Sequence, residues 1–182
     1  METLRAEKQG AAPPVFKVGG HYHVGDSATA ELLTQLPAFP KTVRVDRDGG
    51  LMSHLSVWKN LCLPLEYHAQ DVRHVAEDAS LLFALCGEDK ISLPRLMESY
   101  PDTLSNYEKR LVGFVRALLL EPDVLVLDDV FDGLSDREKE NALQWEKVFR
   151  LRFPFRVLLL YADKGEYLPV GAEVTGQMGF EK

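Results

Sequence analysis

No Gly-Lys dipeptide occurs anywhere in the 182 residues of this chain. That lack excludes a G-x-x-x-x-G-K-[ST] phosphate loop, whose glycines let successive backbone N–H groups surround the phosphates while the lysine neutralises them. Cysteine is scarce too. Cys62 and Cys86 stand alone without C-x-x-C spacing, which excludes a disulfide framework and fits a reduced, cytoplasmic compartment. There is no apolar run long enough to span a bilayer and no signal-peptide pattern, so a soluble chain is expected, reaching a membrane only through a partner. Positive charge is the minority sign. The 21 Lys and Arg against 28 Asp and Glu leave a formal net charge of −7, which argues against nucleic acid as a partner.

With 46% apolar residues the chain can bury one good core, and residues 1–182 are read as a single domain. Residues 1–14, ending Ala11-Ala12-Pro13-Pro14, read as a loose leader. Val15–Val24 has partial strand character, and Ala28–Leu36 reads as a short helix stopped by Pro37 and Pro40. Lys41–Val45 alternates as a strand does. Apolar residues at helical spacing predict helices over Asp71–Leu85, Asn106–Leu120 and Arg137–Leu151. Val124–Leu127 and Arg156–Tyr161 are short apolar runs that suit buried parallel strands. Strands alternating with helices in this way predict an α/β fold, a parallel sheet flanked by helices.

The stretch PDTLSNYEKRLVGFVRALLLEPDVLVLDDVFDGLS, Pro101 to Ser135, resembles an ABC transporter ATPase. That family reads roughly P-x-x-L-S-G-G-Q-x-x-R, then V-A-x-A-R-A-L, then x-x-P-x-x-L-x-L-D-E-P-F-x-G-L-D. Leu104 and Ser105 keep the start of the signature, while Asn106, Tyr107 and Glu108 stand in place of Gly-Gly-Gln. Asp128 falls on the Walker B aspartate, Asp129 replaces the catalytic glutamate, and Ser135 replaces the D-loop aspartate. Upstream, Asp46 takes the place of the Q-loop glutamine, and Leu55-Ser56-Val57 with Asn60 follow in step. Downstream, Ala162 takes the place of the switch histidine, and alanine cannot hydrogen-bond a phosphate. The nearest stand-in for the phosphate loop, Val24–Leu33, has one glycine, no lysine and Asp26, and reads instead as a helix start capped by Asp26 or Ser27. LMSHLSVWKNLCLPLEYH, with Val57, Asn60, Pro64, Leu65 and His68 at matching positions, is similar to ATPases of lipid-asymmetry (Mce-associated phospholipid) importers.

The resemblance implies a shortened P-loop NTPase-like (ABC ATPase) fold, with a helical subdomain inserted over about residues 47–115. It also implies a pseudo-ATPase. Leu104, Ser105, Asn106 and Asp46 would be remnants of a nucleotide site, and Asp128, Asp129 and Ala162 degenerate catalytic positions. Phosphoryl transfer depends on positioning and electrostatic stabilisation, and those are the parts replaced. No cofactor is therefore expected; ATP and magnesium enter only in the alternative reading of a weak ATPase, where Asp128 would hold the metal. His21-x-His23 lacks a matching third ligand. The expected partner is an ABC permease or related transporter subunit, at the inner membrane face, or a second ATPase in a homo- or heterodimer. Leu51, Met52, Leu55 and Trp58 would form the docking surface, unless Trp58 packs within its own subdomain. A stand-alone interaction scaffold is the remaining alternative.

Overall fold

The computed structural model describes residues 21–24, 41–87 and 92–161. Four strands form one parallel sheet among them: β1 (His21–Val24), β2 (Thr42–Val45), β3 (Val124–Asp128) and β4 (Val157–Tyr161), in the order β1-β4-β3-β2. Register runs Thr42↔Val124 and Val45↔Leu127 on one side of β3, and Val124↔Val157 and Asp128↔Tyr161 on the other. Every residue of β3 is buried, as a run without polar alternation requires. A parallel sheet gathers the carboxyl ends of its strands at one rim. Asp46 and Asp128 therefore emerge side by side although 82 positions separate them in sequence.

Between β2 and β3 come α1 (Val57–Tyr67), α2 (Val75–Leu85), the short α3 (Leu93–Glu98) and α4 (Asn106–Leu119); α5 (Asp136–Arg152) joins β3 to β4. α4 packs against α1, α2, β2 and α5, so the inserted helices and the sheet share one core. Its centre is Trp145 of α5, fully buried and stacked on Phe114 with centroids 5.0 Å apart, with Tyr107 at 5.9 Å. Both α4 and α5 start with a complete capping box, Ser105–Glu108 and Ser135–Glu138. Ser56 caps α1.

The helix expected over Ala28–Leu36 and residues 15–20 of the expected strand lie outside the described residues. The expected elements that fall on described residues form where periodicity puts them, with one shift. The helix expected from Asp71 starts at Val75. The Asp71 carboxylate instead accepts the backbone N–H of Arg73 at 2.9 Å and its guanidinium at 2.6–3.0 Å, a local turn that competes with helix. The loop leading into α1 is tied down by buried Asn60. Its Nδ2 donates to the carbonyls of Met52, Leu55 and Ser56 at 3.0–3.1 Å, and its Oδ1 accepts from Met52 N at 2.7 Å. Among the described residues no helix is long and apolar enough to cross a membrane.

Candidate functional site: a strand-end rim closed by arginines

The turn after β2 is built around Asp46. Its Oδ1 accepts from Asp48 N at 3.0 Å and Gly50 N at 2.8 Å, and its carbonyl accepts from Gly49 N at 2.9 Å. Asp and Asn organise turns in this way because the short side chain reaches the backbone two residues on. Asp46, expected at the Q-loop position, thus faces its own backbone. Arg116 of α4 completes the turn, donating to Gly50 O at 2.8 Å and Gly49 O at 3.1 Å. Burial holds its guanidinium below the usual arginine range, with Asp46 opposing.

The turn lies directly on α4. Gly49 sits at φ +72°, and a Cβ on Gly113 of α4 would come within 2.9 Å of Gly49 Cα and nearer still to its carbonyl oxygen. Glycine at both places is what lets two backbones touch.

Asp128 ends β3 with its side chain 10% exposed, and Arg44 of β2 pairs with it. Arg47 pairs in the same way with Asp132 beyond β3. Arg110, 3% exposed, sits beneath both loops: Nε donates to Arg47 O at 2.6 Å, and Nη1 to Val130 O at 3.1 Å and Asp132 O at 2.6 Å. Burial, and then nearby Arg47, lower its pKa from the ordinary arginine value. Asp129, expected at the catalytic-glutamate position, is half-buried in the left-handed region at φ 53°. Four cations therefore stitch together the rim that carries Asp46, Asp128, Asp129 and Asp132.

The Leu104–Glu108 segment, expected as a remnant of the signature, caps its own helix. Leu104 is buried and Ser105 exposed; Ser105 Oγ accepts from Glu108 N at 3.1 Å, and Glu108 Oε2 accepts from Ser105 N at 2.8 Å. Donors that an uncapped helix start would offer to an anion are spent internally. Asn106 is an exposed first helical residue, and Tyr107 roots α4 against Trp145.

Of the residues expected at a site, the structure brings Asp46, Asp128 and Asp129 to one rim and puts Leu104, Ser105 and Asn106 at the start of α4. Ala162 and most of Val24–Leu33 lie outside the described residues. Of the expected docking set, Leu51 and Trp58 are half-buried and packed on the core, Leu55 is half-buried, and Met52 is 47% exposed. His21 and His23 fall on β1. Among the described residues no group of three or more His, Cys, Asp or Glu could hold a metal ion. The residues that pattern reading passed over are Arg44, Arg47 and Arg110. Their one visible signal was Arg44, a lone cation inside the valine alternation of β2.

No family model matches the chain. A solved bacterial ABC transporter cassette, in its dimeric structure, superposes with a TM-score of 0.60 at 18% identity, over 81% of this chain and 76% of that one. The fold is that of an ABC cassette. A second structure, of that cassette in a post-hydrolysis state with ADP and phosphate, gives 0.55 at 20% identity, over 75% of this chain and 56% of that one. In sequence the cassette is similar to the methionine import ATP-binding protein MetN of Vibrio cholerae, 32% identical over 60% of this chain and 30% of the relative. The sulfate/thiosulfate import ATP-binding protein CysA of Nephroselmis olivacea is 28% identical over 69% of this chain and 35% of the relative. The chain is thus similar in sequence to import ATP-binding proteins, and its fold is that of an ABC cassette. The cassette spans about a third of the length of these curated relatives.

Proposed function

We propose that this cassette is a catalytically inactive ABC-type subunit that docks a membrane transporter component or a true ATPase partner. One observation carries the reading: Arg44 pairs with Asp128, the carboxylate that in a working Walker B position would face magnesium. A guanidinium there neutralises the charge that attracts a hard cation. The residues present do not fit magnesium–ATP. No Gly-Lys exists to hold phosphates, and the signature serine and its neighbour Glu108 cap their own helix.

The relatives are import ATP-binding proteins and the solved cassette is dimeric, which supports a transporter context, a peripheral place at the inner membrane face, and a permease or second cassette as partner. The Leu51–His68 phrase favours lipid import as that context. Calorimetric titration with ATP and magnesium tests the reading. No binding tighter than about 1 mM, roughly −4 kcal/mol, is expected. A tighter dissociation constant, or one that tightens further in Arg44→Ala alone, would show a working nucleotide site.

A further inference from the structure

Away from the strand-end rim, the ends of three helices converge on a groove of about 260 Å³. Leu82 of α2, Leu118 of α4 and Val148 of α5 line its floor, each at most 5% exposed. Its walls carry leucines that the fold leaves in water: Leu81 is 57% exposed, Leu85 41% and Leu151 74%. Leu81 and Leu85 stand one turn apart on α2, so the wall is a ridge of helical spacing and not scattered exposure.

The charge around the groove is of one predominant sign. Asp78 and Glu121 line it with carboxylates. The last turns of α2, α4 and α5 each supply lining residues, Leu85, Leu118 with Leu119, and Leu151 with Arg152. A helix's carboxyl end carries partial negative charge. Arg150 and Arg152 offset that charge at α5. α2 has no basic residue in its last turn, and the last-turn cation of α4, Arg116, is committed to Gly49 and Gly50. Among the described residues Arg152 is the one cation lining the groove, and its guanidinium lies 5.9 Å over the Phe153 ring.

We infer that this groove receives an amphipathic helix of a partner protein, one that inserts an apolar ridge between Leu81 and Leu151 and carries Lys or Arg beside it to meet Asp78 and Glu121. A concave apolar floor between two helices accepts side chains at i, i+3 and i+4, the pattern of helix-in-groove recognition. The inference rests on the docking reading and relocates its surface, since Leu51 and Trp58 spend apolar area on the cassette's own core.

The test uses the full chain, a synthetic helix-forming peptide with a leucine ridge flanked by lysines, the same peptide with glutamates for lysines, and phosphatidylglycerol vesicles. Fluorescence anisotropy should show the lysine peptide binding at least tenfold tighter than the glutamate one. Leu81→Asp and Leu151→Asp, both at exposed positions and checked for folding by circular dichroism, should each weaken binding at least tenfold. Asp78→Lys with Glu121→Lys should reverse the preference. Equal binding of the two peptides, indifference to Leu151→Asp, or loss of vesicle binding alone in the leucine variants would each overturn the inference, the last in favour of a lipid surface. The outcome is independent of the nucleotide titration. ATP binding would undo the inactive reading with the peptide result intact, and peptide failure would leave the titration result standing.

Discussion

Gly113→Ala sets two opposing terms against each other on α4. Alanine is favoured over glycine inside a helix by about 1 kcal/mol, so propensity alone predicts stabilisation. The added methyl, however, would meet the backbone of Gly49, 2.9 Å from its Cα and closer to its carbonyl oxygen. Backbone cannot rotate aside as a side chain tip does; the whole 46–50 turn must retreat. Several bonds resist: Arg116 to Gly49 O at 3.1 Å and Gly50 O at 2.8 Å, and Arg110 to Arg47 O at 2.6 Å. Overpacking of a close contact costs about 1–3 kcal/mol. Hydrogen bonds from charged donors are worth about 1.5–3 kcal/mol each, of which stretching forfeits a part. The steric term wins, with a net loss of about 2 kcal/mol. For a chain of this size that lowers the melting temperature by about 4–8 °C. Paired thermal and urea unfolding of the two proteins decides the matter. Equal or greater stability in the variant would refute the argument, showing that the turn yields freely and that its glycines are not there for close approach.

Arg110→Met should cost about 3 kcal/mol in urea unfolding, since it leaves the carbonyls of Arg47, Val130 and Asp132 without their buried donor. Arg110→Lys should recover less than half of this, because an ammonium cannot fork to both loops. At α5, the hydrogen bond from the Ser135 side chain, then its backbone, holds the Glu138 carboxyl below its ordinary value. A carboxyl lowered in the folded state adds stability that is complete above the unfolded pKa of about 4.3 and fades as pH falls through the folded value. Ser135→Ala should therefore cost about 1 kcal/mol at pH 7, with the gap to the parent protein narrowing toward pH 3 in thermal melts.

The sheet and the long helices were legible because each depends on local pattern. VLVLD can only be a strand covered on both faces, and Ser105 or Ser135 with a glutamate three residues on marks a helix start wherever it occurs. The helix start at Val75 was not legible, since periodicity continues through Asp71 while the Asp71–Arg73 turn outcompetes it. The candidate site was legible in its losses and not in its replacements. A missing lysine is visible in any reading of the chain. The pairing of Arg44 with Asp128 spans 84 positions and exists only because β2 lies beside β3 in parallel register.

The same long-range pairs offset the charge gathered at the rim. Acidic groups gathered at strand ends repel one another, and removing a bound cation or its nucleotide leaves that repulsion uncompensated. Here the compensation is built into the chain: Arg44 meets Asp128, Arg47 meets Asp132, and Arg110 ties the two loops by their carbonyls. Glu108 does the equivalent at α4, completing a cap with Ser105. These contacts act on the folded state without any ligand, so the charge at the rim is offset from within the chain. Under the proposed docking role, a rim balanced in this way would keep the outer surfaces in a fixed arrangement whatever the ATP concentration, as a docking subunit requires and a hydrolytic motor must avoid.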